Sequence, residues 1–488
     1  MARVNSMLFT SNSDDHDHPH SQHRHAVIPT SEKLNADPTF TARGITIAFL
    51  DSGFYPHPDI ADRVTAFHDI HGEENSFTEI VEPLGHHWHG TQTLVSCAGD
   101  GRLSDGIYRG LAHESQLVLV KVSNRGKIDD ESIEKGLLWV IENRGRYGIR
   151  ILNISLGGDS DIGLAESSVN QLVEELIDSG VVVTVAAGNS DSTRSIPPAS
   201  SPSAITVGGY TDQNQFDESE FGLYHSSFGA TADGYVKPEI IAPAMYIAAP
   251  ILPRTDDHRV AETLSILLAA PDYSFRELLE QSFANAGLDP AILGLSNDGA
   301  RRMIEAELIV RKVVATHYQH VDGTSFAAPI TASVAALMLQ ANPSLTPVMV
   351  KDILITTARR LGGHPTVRQG FGILNARLAV ELASREVHSF DRRKYFPPRI
   401  ERNQILFCFH DDAAKKVTLC GDFNGWDHES IPFARNGDGL WHTSIPCRPA
   451  GSYRYKFLID GLRWTEDPSH GLKDDDGLGG FNSILSIA

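Results

Sequence analysis

Four short apolar runs, separated by longer amphipathic stretches, constrain the fold of the first part of the chain more than any other feature. The apolar runs are residues 45–50, 117–122, 149–155 and 181–187, and helical patterns occupy residues 89–98, 131–146 and 165–179. Strands that are apolar along their whole length are typically covered by helices on both faces. The alternation therefore predicts an α/β domain built on a mostly parallel sheet.

Three polar blocks at the ends of such elements carry the candidate chemistry. Asp51 ends the first strand within Asp-Ser-Gly, His89 opens a helix within His-Gly-Thr, and Ser325 precedes an apolar helical run within Gly-Thr-Ser. A serine at a helix start has a free N–H and lies at the positive end of the helix dipole, which favours developing negative charge. The serine block alone also suits a helix cap, so its assignment as a nucleophile depends on the other two blocks.

In this order, the three blocks resemble the subtilisin-like serine peptidases, or subtilases. A fourth block, residues 183–189, resembles the strand that ends in the oxyanion-hole asparagine of that family. The resemblance implies that Ser325 is the nucleophile, His89 the general base and Asp51 the residue that orients the imidazole, with Asn189 in the oxyanion hole. An inactive descendant of the family is the alternative.

The resemblance also implies how a substrate peptide binds. Residues 153–158 match the strand whose backbone pairs with the bound peptide, and residues 186–188 match the wall of the first specificity pocket. The substrate-binding residues expected on this basis are Ser155, Leu156, Gly157, Ala187 and Gly188. Small residues in the wall leave room for a large apolar side chain, but the sequence does not determine the preference of the pocket.

Composition restricts the number of domains, the partners and the location of the protein. A chain of 488 residues is too long for one hydrophobic core, so at least two domains are expected. The formal net charge of −20 argues against nucleic acid and anionic membranes as partners. Residues 1–25 lack the apolar core of a secretory signal, and four cysteines demand no disulfide. A cytoplasmic protein is the simplest expectation.

The predicted domain organisation has four parts. Residues 1–40 form a polar extension rich in histidine, for which adventitious metal binding is the alternative to a plain tail. Within this extension, Val27–Pro29 resembles the segment of intracellular subtilisins that lies across the active site. The catalytic domain spans residues 41–390 and contains an insertion at 253–316, whose helical spacing predicts packed helices. That insertion is either a lid or dimer contact beside the cleft, or a passive addition.

The last part of the chain changes from long helices to short alternating strands. A linker at residues 391–402 leads to strands separated by Asn-Gly and Asp-Gly turns, which predict a small β-sandwich over residues 403–488. With the subtilase resemblance, the expected fold class is α/β: a subtilisin-like, mostly parallel sheet flanked by helices, followed by an immunoglobulin-like β-sandwich.

The sandwich resembles the glycogen-binding module of the AMP-activated kinase beta subunit and of isoamylase-type enzymes. The resemblance implies that two rings stack on sugar faces, that polar groups bond the hydroxyls, and that a loop leucine packs inside the glucan spiral. The matching positions are Trp426, Lys456, Trp464, Leu478 and Asn482. The alternative is a sandwich that only braces the catalytic domain.

The expected activity is peptide-bond hydrolysis by a serine endopeptidase that binds protein substrates and an α-glucan such as glycogen or starch. No metal ligand set is assigned and no cofactor is required, although the subtilase resemblance implies structural calcium, with Asp59 at a frequent ligand position. Two rival classes remain at this point. One is a glucan-bound scaffold with an inactive peptidase domain, and the other is an enzyme acting on the glucan, which lacks a recognisable pair of carboxylates.

Overall fold

The computed structural model describes residues 25–74, 76–124, 126–158, 161–385, 398–401, 403–435, 439–470 and 473–487. The helices, numbered in chain order, are α1 Thr30–Lys33, α2 His87–Ala98, α3 Asp130–Tyr147, α4 Ser168–Asp178, α5 Asp256–Ala269, α6 Asp272–Ser282, α7 Asn297–Val310, α8 Thr324–Ala341, α9 Pro347–Thr357, α10 Thr366–Gln369 and α11 Ala376–Ser384. The strands of the catalytic domain are β1 Thr46–Asp51, β2 Val64–Asp69, β3 Gln116–Lys121, β4 Ile149–Ile154, β5 Val182–Ala186, β6 Ile205–Thr211, β7 Gly222–Leu223, β8 Gly229–Ala230, β9 Val236–Lys237, β10 Ile240–Pro243, β11 Ile247–Pro250, β12 Val313–Ala315 and β13 Tyr318–Val321.

The predicted parallel sheet is confirmed. Its strand order is β10-β6-β5-β4-β1-β3-β2, all neighbours in this order are parallel, and the short β7 pairs antiparallel with β6. Because parallel strands end at the same edge, Asp51 at the end of β1 and Asn189 just beyond β5 lie on one side of the sheet. The catalytic site is built at that edge.

Helix α8 is the central buried helix of the catalytic domain, and it starts at the serine block. Almost every residue from Thr324 to Leu339 is buried, and the helix packs against α2, β4, β5 and β6. This helix is long and apolar enough to cross a membrane, but 83% of it is buried inside the protein. Its apolar character is therefore that of a core helix, as the sequence predicted.

The insertion folds as predicted, into three helices, α5 to α7, with a hydrophobic core of their own. Trp88, the residue before the catalytic histidine, packs against that core. Arg254, at the start of the insertion, also bonds the Val81 carbonyl oxygen and the Glu82 carboxylate, in the loop that leads to α2. The insertion thus supports the start of the histidine helix from outside.

The described part of the N-terminal segment corrects the prediction of a separate extension reaching residue 40. The Val27 side chain, in the segment that resembles the extension of intracellular subtilisins, is buried in a cluster with Val314 and Tyr318. The Lys33 ammonium forms an ion pair with Asp212 at 2.6 Å, and both side chains are almost fully buried. Residues 26–40 therefore pack as part of the catalytic domain.

Replacing Lys33 with methionine is expected to lower the free energy of unfolding by about 3 kcal/mol, because the Asp212 carboxylate would stay buried without its partner. The pair is costly in itself, since burial lowers the pKa of Lys33 despite the raising effect of Asp212. Denaturant unfolding of the full chain measures the change. The double variant Lys33→Met/Asp212→Asn should recover part of the loss, and equal losses in single and double variants would contradict this account.

The C-terminal domain is the predicted antiparallel sandwich. Its strands are β14 Arg399–Glu401, β15 Gln404–His410, β16 Val417–Gly421, β17 Ala434–Arg435, β18 Leu440–Pro446, β19 Gly451–Ile459, β20 Arg463–Thr465, β21 Lys473–Asp475 and β22 Phe481–Ile487. One sheet has the order β14-β15-β18-β17, and the other has β16-β19-β22-β21 with β20 attached to β19. Because β14 already pairs with β15, the sandwich begins at Arg399, inside the predicted linker.

Candidate active site

The structure brings the predicted catalytic aspartate and histidine into direct contact. The Nδ1 atom of His89 lies 2.7 Å from the Asp51 Oδ1 atom. Asp51 is buried, and its carboxylate also accepts the Ser52 backbone N–H at 2.7 Å and the Thr93 hydroxyl at 3.1 Å. With its oxygens so engaged, Asp51 holds the imidazole in one orientation and favours a proton on Nδ1.

Two glycines permit the close packing of this site. A Cβ atom on Gly90 would lie 2.2 Å from the Gly53 carbonyl oxygen, so only glycine lets α2 approach the end of β1. Gly323, just before the nucleophile, has a φ of +146°, in the region that side chains rarely adopt. Close packing therefore requires the glycine of the His-Gly-Thr block, and backbone conformation favours the glycine of the Gly-Thr-Ser block.

A proline in helix α8 fixes the relation between Ser325 and the substrate-binding strand. Pro329 has no N–H, so the Ser325 carbonyl oxygen lacks the usual bond from four residues ahead. The Ser155 hydroxyl donates to that oxygen instead, at 2.9 Å. In the described chain, the Ser325 Oγ atom makes no hydrogen bond to His89 and lies 3.5 Å from the Ser155 carbonyl oxygen. Such catalytic contacts often tighten only when substrate binds.

The Asn189 side chain is oriented by the residue before the nucleophile. Its Oδ1 atom accepts hydrogen bonds from the Thr324 N–H and the Thr324 hydroxyl, both at 2.9 Å. Because the amide oxygen is occupied, the amide NH₂ group is left to point away from Thr324. A preorganised amide donor of this kind can stabilise the oxyanion that forms during acyl transfer.

All predicted substrate-binding residues line one cleft of about 410 Å³. Ser155, Leu156 and Gly157 form one part of its lining, Ala187 and Gly188 another, and Ser325 and Asn189 also reach it. Residues 155–157 line the cleft just beyond the end of β4, where their backbone is open to pairing with a bound peptide as an added strand. The cleft thus unites a nucleophile, an amide donor and a peptide-binding edge.

The electrostatics of the site suit a general base. Burial lowers the pKa of His89, but the charge of Asp51 and the hydrogen bond to it together outweigh burial, and the net pKa lies above its ordinary value. The imidazolium formed when His89 takes the serine proton is therefore stabilised. The His89 side chain is only partly buried, so part of its ring is accessible.

A cluster beside the catalytic histidine resembles a metal site by distance alone. The side chains of Glu74, His86 and His87 hold three potential ligand atoms within 4.8 Å of one another. However, the His87 Nδ1 atom accepts the Leu84 N–H at 2.9 Å, so its Nε2 atom carries the proton and donates to Glu74 at 2.8 Å. The Lys121 ammonium, 3.6 Å from the same carboxylate oxygen, adds positive charge. The cluster is therefore a hydrogen-bonded contact that joins Glu74 to the start of α2.

The residues around Asp59 do not fit the calcium that the subtilase resemblance implies. The Tyr318 hydroxyl donates to the Asp59 carboxylate at 2.6 Å, and burial raises the pKa of that carboxyl. The nearby carboxylates of Asp62 and Asp100 are paired with Arg102 at 2.8 and 2.6 Å. Calcium requires six to eight oxygen ligands, whereas Asp59 Oδ2 faces a hydroxyl, Asp62 and Asp100 face a guanidinium, and of the Asp59 carboxylate only the buried Oδ1 atom lacks a hydrogen-bond partner.

The predicted glucan-binding residues lie together on one face of the β16-β19-β22-β21 sheet. Trp464 pairs with Leu458, and the rings of Trp426 and Trp464 are 6.2 Å apart. Lys456 follows Tyr455 on β19, Asn482 precedes Ser483 on β22, and Tyr455 pairs with Ser483. The rings offer stacking surfaces and the polar groups offer hydrogen bonds.

A loop of the module completes this surface. The Leu478 side chain is 92% exposed, so it is accessible to a ligand. Asp476 accepts the backbone N–H groups of Leu478 and Gly480, and it forms an ion pair with Lys456 at 2.5 Å. The loop and the sheet are thus tied together, and the Lys456 ammonium is held in place.

Several supporting residues were not predicted from the sequence. Thr93 lies four residues after His89, on the same face of α2, so helical spacing was an available signal for it. Thr324 lies within the Gly-Thr-Ser block, but nothing in that block indicates that it orients Asn189. Glu74 has no local signal, because it reaches His86 and His87 only in the folded chain. The histidines at positions 16–23 lie outside the described residues.

Comparison with known proteins agrees with this geometry. The family model described as "Subtilase family" matches residues 42–373, and "Carbohydrate-binding module 48 (Isoamylase N-terminal domain)" matches residues 395–470. The serine protease AprX of Bacillus subtilis is 33% identical over 354 residues, covering 70% of this chain and 67% of AprX. Subtilisin BL of Lederbergia lenta is 28% identical over 342 residues, covering 70% of this chain and 91% of the relative. A solved protease structure from Pseudoalteromonas arctica has a TM-score of 0.48 and 20% identity, covering 75% of this chain and 96% of that one.

Proposed function

Because this chain belongs to the subtilase family and is a serine endopeptidase of the subtilisin type, we propose that its carbohydrate-binding module directs peptide-bond hydrolysis to proteins held on an α-glucan. Glycogen and starch are the glucans whose helical chains suit the surface. The observation that carries the proposal is the pair of tryptophan rings whose centres are 6.2 Å apart.

The proposed chemistry proceeds through an acyl-enzyme. Ser325 attacks the peptide carbonyl while His89 takes its proton and later returns it to the leaving amine. Asp51 stabilises the imidazolium, and Asn189 together with the Ser325 N–H binds the oxyanion. The backbone of Ser155–Gly157 holds the peptide in an extended form.

Joining the peptidase and the carbohydrate-binding module in one chain raises the local concentration of substrate. A glucan granule that carries both the module and the substrate proteins raises the effective concentration of substrate at the cleft without altering the cleft. We also propose a cytoplasmic location. All four cysteines are free, which supports this location because disulfides are rare in the cytoplasm.

Replacing Trp426 or Trp464 with alanine is expected to weaken glycogen binding by about tenfold each, because a stacked ring contributes about 1.5 kcal/mol. Affinity electrophoresis in gels containing glycogen measures the loss. Cleavage of granule-associated proteins should fall with binding. Tyr273→Ala is the matched control, since Tyr273 is a 91% exposed aromatic residue of the catalytic domain. Wild-type retention of both tryptophan variants would refute the glucan proposal.

Adding maltoheptaose distinguishes allosteric regulation by glucan from simple tethering of the enzyme to the glucan. A soluble glucan occupies the module but does not bring a small peptide closer to the cleft, so tethering predicts an unchanged rate of peptide hydrolysis. Allostery requires that the glucan bind two states of the enzyme with different affinity. A large change in peptide hydrolysis on adding maltoheptaose would therefore contradict simple tethering.

A further inference from the structure

The segment that carries the oxyanion asparagine is held from two sides. On the inner side, Thr324 holds the Asn189 side chain, and its hydroxyl also accepts the Gly188 N–H at 3.2 Å. On the outer side, the Arg368 guanidinium forms an ion pair with Asp191, two residues beyond Asn189. The inner contacts belong to the catalytic machinery, whereas Arg368 comes from α10, far along the chain.

The turn at Asp191 needs such a support. Its φ is +51°, a left-handed conformation that is uncommon for a residue other than glycine, although aspartate adopts it more readily than most. The Asp191 N–H donates to the His225 carbonyl oxygen at 3.0 Å, and Ser227 donates to the Gly188 carbonyl oxygen at 3.0 Å. The geometry of the oxyanion segment therefore depends on contacts outside the segment.

Arg368 joins the two chain segments that meet here. Its guanidinium bonds Asp191, reaches the Tyr224 carbonyl oxygen at 3.5 Å and lies over the Phe228 ring at 5.1 Å. The planar group can make these contacts at once because it combines forked donors with a flat face. A lysine would keep the charge but not the ring contact.

Helix α10 has only four residues, so it depends on its neighbours for stability. One neighbour is the carbohydrate-binding module. The Thr366 hydroxyl, at the start of α10, donates to the Lys473 carbonyl oxygen of β21 at 2.9 Å. Nearby, the Arg360 guanidinium lies 5.4 Å from the centre of the Phe481 ring of β22. The module thus docks on the same short helix that carries Arg368.

From this chain of contacts we propose that Arg368 is a positioning residue for the oxyanion asparagine, and that docking of the module on α10 keeps it in place. The module then supports catalysis by packing, independently of any glucan. An oxyanion donor acts mainly in the transition state, so a misplaced Asn189 should lower kcat more than it raises KM. The inference does not rest on glucan binding.

The test uses full-length chains and a small soluble peptide substrate, with rates normalised by active-site titration. Arg368→Ala is expected to lower kcat by about tenfold with KM changed less than about twofold, since displacing an oxyanion donor costs less than deleting it. Arg368→Lys should recover part of the loss. The double variant Thr366→Val/Phe481→Ala, called the seam variant here, removes the Thr366 hydrogen bond and the Phe481 ring contact between the module and the catalytic domain and should lower kcat severalfold. Glycogen retention measured on the same protein tests the proposed function separately.

A peptide aldehyde inhibitor adds a readout that a merely structural role would not move. It forms a tetrahedral adduct with an oxyanion, so its inhibition constant should rise in parallel with the loss of kcat/KM. Arg377→Ala is the matched control, because this exposed arginine contacts the N-terminal segment, at the Asn35 carbonyl oxygen, and not the oxyanion segment. A kcat of Arg368→Ala within twofold of wild type would overturn the proposal. A loss in Arg368→Ala without any loss in the seam variant would overturn the part assigned to the module.

Discussion

Replacing Ser325 with alanine is expected to lower kcat for a small peptide by about 10⁶-fold, as for the nucleophile in subtilisin. The physical reason is that, of the two hydroxyls at the start of α8 that line the cleft, the Thr324 hydroxyl is bonded to the Asn189 Oδ1 atom, which leaves Ser325 as the nucleophile. The residual rate should come from the oxyanion site and substrate binding alone. Steady-state hydrolysis and labelling by a fluorophosphonate probe measure the effect.

The control for this variant is Ser344→Ala, which removes an exposed hydroxyl whose partner is the Asn342 side chain. Its turnover should equal that of the wild type. Ser325→Ala should keep the unfolding free energy and the glycogen retention of the wild type, since the sugar surface lies on a separate domain. Appreciable turnover by Ser325→Ala would show that the assigned nucleophile is wrong, and would favour the reading of the serine block as a helix cap.

Replacing Asp51 with asparagine is expected to lower kcat by about 10⁴-fold, because the amide cannot hold the imidazole in the required tautomer. It should also move the acid limb of the pH–rate profile. The Asp51 charge and hydrogen bond raise the pKa of His89 against the lowering effect of burial. His89 must be neutral to accept the serine proton, so without Asp51 the remaining activity should persist to lower pH than in the wild type.

The variant Thr93→Val separates the charge of Asp51 from its positioning. It removes the hydroxyl that donates to Asp51 Oδ2 at 3.1 Å but keeps the carboxylate. We expect a much smaller loss of kcat than in Asp51→Asn, with the acid limb still above the ordinary pKa of a histidine. A pH profile of kcat/KM from pH 4 to 9 measures both variants. An acid limb that stays in place in Asp51→Asn would contradict the assigned role of the carboxylate.

The parallel sheet and the catalytic blocks could be predicted because their signals are local. Strands buried on both faces are mostly apolar, and β1, β3, β4 and β5 show that pattern with few polar exceptions, such as Arg150 and Asn153 in β4. Gly90 belongs to its motif because an added side chain would clash there, and Gly323 belongs to its motif because its backbone conformation strains any other residue. Requirements of this kind can be recognised from residues that are close together in the sequence.

The N-terminal segment shows where local signals mislead. Residues 26–40 are polar enough to suggest a detached extension, yet Lys33 reaches Asp212, 179 residues away, in a buried ion pair. Composition describes the average environment of a segment, and it does not reveal a charged partner in a distant part of the chain. The start of the sandwich at Arg399 was missed for a related reason, because strand β14 is defined by its pairing with β15.

The sequence by itself determined the α/β class, the order of the catalytic residues, the sandwich and the candidate sugar-binding positions, since each follows from periodicity or from a compact motif. Only the tertiary structure decided that Thr324 orients Asn189, that Glu74 clamps the start of the histidine helix, and that Arg368 supports the oxyanion segment. These contacts join groups separated by up to 177 residues. Their existence depends on how close packing brings the elements together, and hydrogen bonds and ion pairs require a geometry that no local pattern records.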